Sequence, residues 1–241
     1  MKNLIIKSRI IPLDLCAMQS QINQSKKRLF CANGFVYKRF DRFFLVTALS
    51  VLTGRDIYTG NTKHLNCYVP DTLVFNSVDK LGTKKQLHSV PLYVDNMPVW
   101  MVHPTKQRTI DIAVIPLDEK LTDIEALNDF EADLMELTDD IFVYGYPLSF
   151  QKREDKDESF VHKIKIIFED EDRYVVDGVT RQGFYGGSVF VNQKNSFVPA
   201  FLGVYSGFDK NNTSLESQIS VWKKELIDEI IDSKFFDESY M

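Results

Sequence analysis

The chain has 241 residues, 44% of them hydrophobic and 26% charged, with 18 Phe and 10 Tyr, so it can bury a sizeable core and is too apolar for general disorder. A formal charge of −5 and a pI near 5.5 argue against a nucleic-acid partner, whose recognition rests on Lys and Arg neutralising phosphates. Three cysteines, Cys16, Cys31 and Cys67, form no C-x-x-C pair and keep no metal-ligand spacing to the four histidines. They read as reduced thiols of a cytoplasmic protein, and neither a metal nor a cofactor is expected.

In chain order, the opening "MKNLIIKSRIIPLDL" is interrupted by Lys7 and Arg9, so no signal peptide is expected, and no apolar run approaches the ~20 residues that cross a bilayer. Then come short apolar and β-branched runs between turn residues: "RLFCANGFVYKR", "RFFLVTAL", "DTLVFNSV", "QLHSVPLYV", "DIAVIPL", "DIFVYGYPL", "HKIKIIFED", "RYVVDGV", "GSVFVN" and "VPAFLGVYSG". Such a series predicts an all-β sandwich or barrel pair. Helical spacing occurs twice, in the acidic "TDIEALNDFEADLMEL" and in "WKKELIDEIIDSKFF", where Trp222, Leu226, Ile227, Ile230 and Ile231 share one face. The polar stretches "QKREDKDESF" and "FDKNNTSLES" read as solvated loops. There is no repeat and no linker, so residues 1–241 read as a single domain.

Three places carry the chemistry. In "RFFLVTALSVLTGRD" an aromatic-aliphatic strand runs into Thr47-Ala48 and turns at Ser50; in "RTIDIAVIPLD" one carboxylate, Asp111, opens an apolar strand; in "RQGFYGGSVFV" Gly183 and Gly186 bracket Tyr185 in a tight turn. This order and spacing resemble the trypsin-like (chymotrypsin-fold) serine peptidase family, in its bacterial trypsin-like peptidase-domain group. There the same stretches read hydrophobic-T-A-x-H-V, D-h-A-h-h-x-L and G-x-S-G-x-P-h. His103-Pro104, Gly145-Tyr146-Pro147 and "FLGVYSG" before the last helix also match, and the likeness spans about residues 25 to 235, weakly from Asn61 to Trp100.

The resemblance implies two six-stranded-type β-barrels, at about 25–120 and 135–221, with a C-terminal α-helix at about 222–235. It also implies that the catalytic triad is degenerate. Ser50 stands in the place of the histidine, and a hydroxyl has no useful basicity near neutral pH. Tyr185 stands in the place of the nucleophilic serine, with a pKa near ~10 and a bulk that fills substrate space. Asp111 is retained, either as the remnant of the triad or as a turn residue bonded to nearby backbone N–H groups. Gly183 and Gly186 fit the oxyanion loop. Ser188 replaces the proline that begins the next strand and is no hidden nucleophile.

His103, eight residues before Asp111, is the candidate rescue base, against the blander reading of a structural histidine. The expectation is a pseudopeptidase that binds a protein partner, one encoded nearby in a defence or stress system by the group's habit, with Tyr185 as plug or contact residue. The alternatives are a serine peptidase of non-standard arrangement and a purely structural subunit. Neither nucleic acid nor membrane is expected among its partners.

Overall fold

A computed structural model describes residues 10–18, 26–62, 69–78, 85–117, 125–130, 137–146, 160–177, 183–194, 196, 198–206 and 219–236. The first six-stranded sheet contains β1 (Ile10–Met18), β2 (Lys26–Arg39), β3 (Arg42–Thr47), β4 (Thr72–Val78), β5 (Lys85–Pro91) and β8 (Ala113–Pro116), in the order β5-β4-β1-β2-β3-β8. A small hairpin, β6 (Tyr93–Val94) and β7 (Met97–Pro98), lies outside it. The second sheet closes into a barrel, in the order β10-β11-β14-β13-β12-β9. Its strands are β9 (Ile141–Gly145), β10 (Phe160–Glu169), β11 (Arg173–Asp177), β12 (Ser188–Val191), β13 (Ala200–Ser206) and β14 (Ser220–Lys223). Two α-helices complete the described fold, α1 (Leu49–Thr53) and α2 (Glu225–Ser233), with a 3-10 turn at Leu127–Phe130.

Strands β2, β3 and β8 of the first sheet bury both faces over most of their length, which is why they read as apolar runs with little alternation. Along β2 and β3, Ala32, Val36 and Leu45 enter the core of the first sheet, while Phe35, Tyr37, Phe44 and Val46 turn the other way. That second face packs on Phe190, Phe201, Val204 and Trp222 of the barrel, with the edge of Phe35 against the ring of Phe201 at 5.2 Å. The interior of the barrel is a third cluster built on Ile141, Val143, Val176, Val189 and Leu202. Period-two alternation thus sorts successive residues into two cores, and the inter-sheet layer is as apolar as the other two.

Two boundaries differ from the sequence reading. The first sheet takes in β1, ahead of the boundary near residue 25, because "IIPLDL" pairs with both β2 and β4. Trp222 belongs to β14, where it faces Arg173 and Val204 across the ladder, so α2 begins only at Glu225. The tryptophan fits the helical spacing by coincidence, since it reaches the same apolar layer from a strand. Of the acidic stretch, the described part holds the 3-10 turn at Leu127–Phe130, and residues 131–136 lie outside the described residues. The two solvated loops lie almost wholly outside them as well, as do Arg181, Pro147, His64 and Cys67.

The terminal helix buries Leu226, Ile227, Ile230 and Ile231 in the inter-sheet layer. Its polar side is tied to the first sheet. Arg39 contacts Asp228 at 2.8 Å and grips Asp232 through two nitrogens, and Tyr37 donates its hydroxyl to Asp228 at 3.1 Å. Arg39 therefore holds the Asp232 carboxyl below the usual range, while burial pushes the Asp228 carboxyl up. Between the sheets, the Asn128 side chain accepts from the Lys38 N–H and donates to the Lys38 carbonyl, both at 2.8 Å, as a partner strand would. Among the described residues no helix is long and apolar enough to cross a membrane.

Candidate functional site

Asp111 sits two residues before β8 and is 3% exposed. Its carboxylate accepts three bonds: from the Ser50 backbone N–H at 2.6 Å, from Ser50 Oγ at 2.8 Å and from Ser206 Oγ at 2.6 Å. The donors lie on α1 and at the end of β13, 61 and 95 residues away, so Asp111 is not a turn residue capping its own loop. A carboxylate removed from water needs such donors, and here they are supplied by both sheets' connections. Ser50 itself is buried on α1, with its hydroxyl directed at the carboxylate. The structure therefore brings together two of the positions that the sequence singles out, and adds Ser206. Only a polar end to the apolar "AFLGVYS" marks Ser206 in the sequence.

The third position is held in a turn fixed from both sides. Gly183 and Gly186 have φ of 101° and 76°, a region that favours glycine, and a Cβ at 186 would collide with the Asn33 carbonyl and Thr47 Oγ1. Gly186 donates its N–H to the Tyr205 carbonyl at 2.8 Å and Gly187 donates to the Phe184 carbonyl at 2.9 Å. From the first sheet, the Asn33 N–H reaches the Tyr185 carbonyl at 2.8 Å, and the Asn33 amide donates to the Gly183 carbonyl. The Tyr146 N–H divides between Asn33 Oδ1 and the Gly183 carbonyl, each at 3.0 Å. Thr47 Oγ1 donates to the Asn33 carbonyl at 2.7 Å, which links this turn to the segment that carries Ser50.

The Tyr185 side chain is half-buried and packs on two clusters at once, the core of the first sheet and the interior of the barrel. It bridges the seam. Ser188 is fully buried in β12, and its Oγ has no hydrogen-bond partner among the described residues, so it presents no nucleophile to solvent.

His103 does not join the cluster. It is 6% exposed, its Nδ1 accepts the Lys106 and Thr105 N–H groups at 3.2 and 3.3 Å, and its Nε2 faces Glu229 at 3.0 Å on α2. Both ring nitrogens are committed to fastening a turn and the helix, which fits the structural reading and leaves the candidate rescue base without a path to Ser50 or Tyr185. His88 stacks on Phe75 in the first sheet, and burial lowers its pKa. His162, on β10, tilts against Phe184 at 6.5 Å, so it is a neighbour of the Tyr185 turn to which no sequence motif points. Cys31 is no hidden nucleophile: burial first, then the adjacent Asp14, push its thiol up to about 12. Among the described residues no group of three or more His, Cys, Asp or Glu is placed to hold a metal ion.

No family model matches the chain, and no curated protein matches it. Solved structures do. A Glu endopeptidase, solved in complex with MPD, superposes with a TM-score of 0.52 over 93% of this chain and 89% of its own, at 14% sequence identity. The likeness is one of fold: the chain has the two-barrel architecture of the trypsin-like peptidases, with one barrel closed, one sheet open, and a helix near the C-terminus.

Proposed function

We propose that this chain is a trypsin-like pseudopeptidase, which binds a protein partner at the former substrate cleft instead of cutting it. The observation that carries the reading is the state of Asp111. The position it addresses holds a serine, and among the described residues its three bonds come from an N–H and two hydroxyls and none from an imidazole. A seryl hydroxyl cannot take a proton from a nucleophile near neutral pH, and the position that would carry the nucleophile bears a phenol wedged between two cores. The commitment of His103 to Glu229 and to its own turn weighs against a peptidase of non-standard arrangement. Tyr185 supports a binding role because a half-buried aromatic on a fixed turn offers contact area at low entropic cost.

The test has two arms. The wild-type protein, incubated with a broad fluorophosphonate and with a casein substrate, should gain no adduct and release no peptides; labelling of Ser50 or Ser188 would end the pseudopeptidase reading. Cross-linking from position 185 in the native cell should recover one partner, and Tyr185→Ala should abolish the complex. An unchanged complex would move the binding surface elsewhere and favour the purely structural subunit.

A further inference from the structure

The structure assigns to Asn33 a positioning role: from the opposite sheet, it sets the shape of the Gly183–Gly187 turn. This rests on the cleft-binding reading only in that the turn presents Tyr185. Asn33 lies in the middle of β2, on the face shared with Phe35 and Tyr37, and is 0% exposed. Its backbone bonds to the Tyr185 carbonyl and to Thr47 Oγ1 could be made by any residue except proline. Its side-chain bonds could not. They require a donor toward the Gly183 carbonyl and, on the same short planar group, an acceptor for the Tyr146 N–H. Alanine lacks both groups, serine offers one shorter hydroxyl in place of two separate atoms, glutamine is a methylene too long for a packed site, and an ionised aspartate would set its charge against the Gly183 carbonyl. A protonated aspartic acid alone reproduces the pair, with O–H donating and C=O accepting.

That equivalence makes the inference testable in the full-length chain. Amide hydrogen exchange is followed at Tyr146, Gly186 and Gly187 in Asn33→Asp and Asn33→Ala, each rate being divided by the wild-type rate at the same pH. In Asn33→Asp the ratio should stay near one at a pH where the carboxyl is protonated, and rise about 10-fold at these amides once it ionises, the size expected for a net loss of about 1.4 kcal/mol. In Asn33→Ala the ratio should be raised by a similar factor at every pH. Amides of the β10–β11 pair should remain at the wild-type rate in both variants.

Ratios near one in both variants at all pH values would overturn the role. So would a uniform rise across the whole protein, which is what a merely structural core residue produces. If Asn33→Asp unfolds outright at neutral pH, Asn33→Ala decides: exchange raised selectively at the turn supports the role, and exchange raised everywhere refutes it. Because the readout is the turn itself, loss of the cleft-binding reading through an unaffected complex in Tyr185→Ala would leave this result standing, and the converse also holds.

Discussion

Replacing Asp111 by alanine should be the most damaging single change at the site, and its size can be worked from three bonds. The Ser50 N–H is fixed by α1 and cannot turn elsewhere, so leaving it unpaired costs about 1–3 kcal/mol. The Ser50 and Ser206 hydroxyls can rotate toward other acceptors, so each loses about 0.5–1.5 kcal/mol. Relief of the desolvation of the carboxylate works in the opposite direction and the cavity left by the side chain adds to the loss, so the net expectation is about 3–5 kcal/mol. For a chain of this size that is a fall in Tm of roughly 6–20 °C.

Asp111→Asn should cost much less, about 1–2 kcal/mol, because one oxygen remains for the Ser50 N–H and the hydroxyls can reverse to accept. Urea unfolding followed by tryptophan fluorescence and by circular dichroism would give both values, provided that the two probes coincide. In a double-mutant cycle, Asp111→Ala should cost less in a Ser50→Ala background than alone. If Asp111→Ala costs under 1 kcal/mol, or if the cycle shows no coupling, the carboxylate is not the hub described above.

Gly186→Ala should destabilise by more than 2 kcal/mol, through both the left-handed backbone and the collision with Asn33 and Thr47; a Tm within a degree of wild type would contradict the tight seam. Burial raises the pKa of Cys31, Tyr144 and Tyr174 to about 12, with nearby carboxylates adding to it at Cys31 and Tyr174. The folded protein therefore holds these protons where the unfolded chain has lost them, and stability should be complete below about pH 9 and decline as the pH climbs toward 12. Chemical denaturation at pH 8, 9.5 and 11 checks this, and a flat profile refutes it. Ser50→His combined with Tyr185→Ser should acquire slow fluorophosphonate labelling at position 185, because the donors that support Asp111 and the glycine turn are in place. A folded double variant that remains unlabelled would show that the scaffold has moved further from catalysis than its hydrogen bonds suggest.

The legible parts of this molecule are those written in local pattern. Ser50, Asp111 and Tyr185 each sit in a short stretch whose apolar flanks and turn glycines mark the place, and Asp111 and Ser50 do meet. Ser206 and Asn33 bear as much on the site yet their roles are not written in the sequence, because each is one small polar residue in an apolar strand and its importance lies in partners 95 and 150 residues away. The assignment of Trp222 to a helix fails for a related reason: an amphipathic helix and the strand before it can deliver side chains to one layer, and spacing alone does not separate them. His103 illustrates the opposite case. Its nearness to Asp111 along the chain suggests chemistry, while its ring is spent on Glu229 and a turn.

The doubly buried first sheet also bears on how the chain is made. Phe35, Tyr37, Phe44, Val46, Ile112 and Val114 need Phe190, Phe201, Val204, Trp222 and the apolar side of α2 to cover them. These partners emerge from the ribosome roughly 75–115 residues after β8, which is about 4–23 s of synthesis. During that interval the newborn N-terminal half carries a bare apolar face and an Asp111 that lacks its Ser206 donor. A fragment ending near residue 117 should therefore collect on chaperones or aggregate, so the two halves, although each has its own sheet, form a single unit of folding.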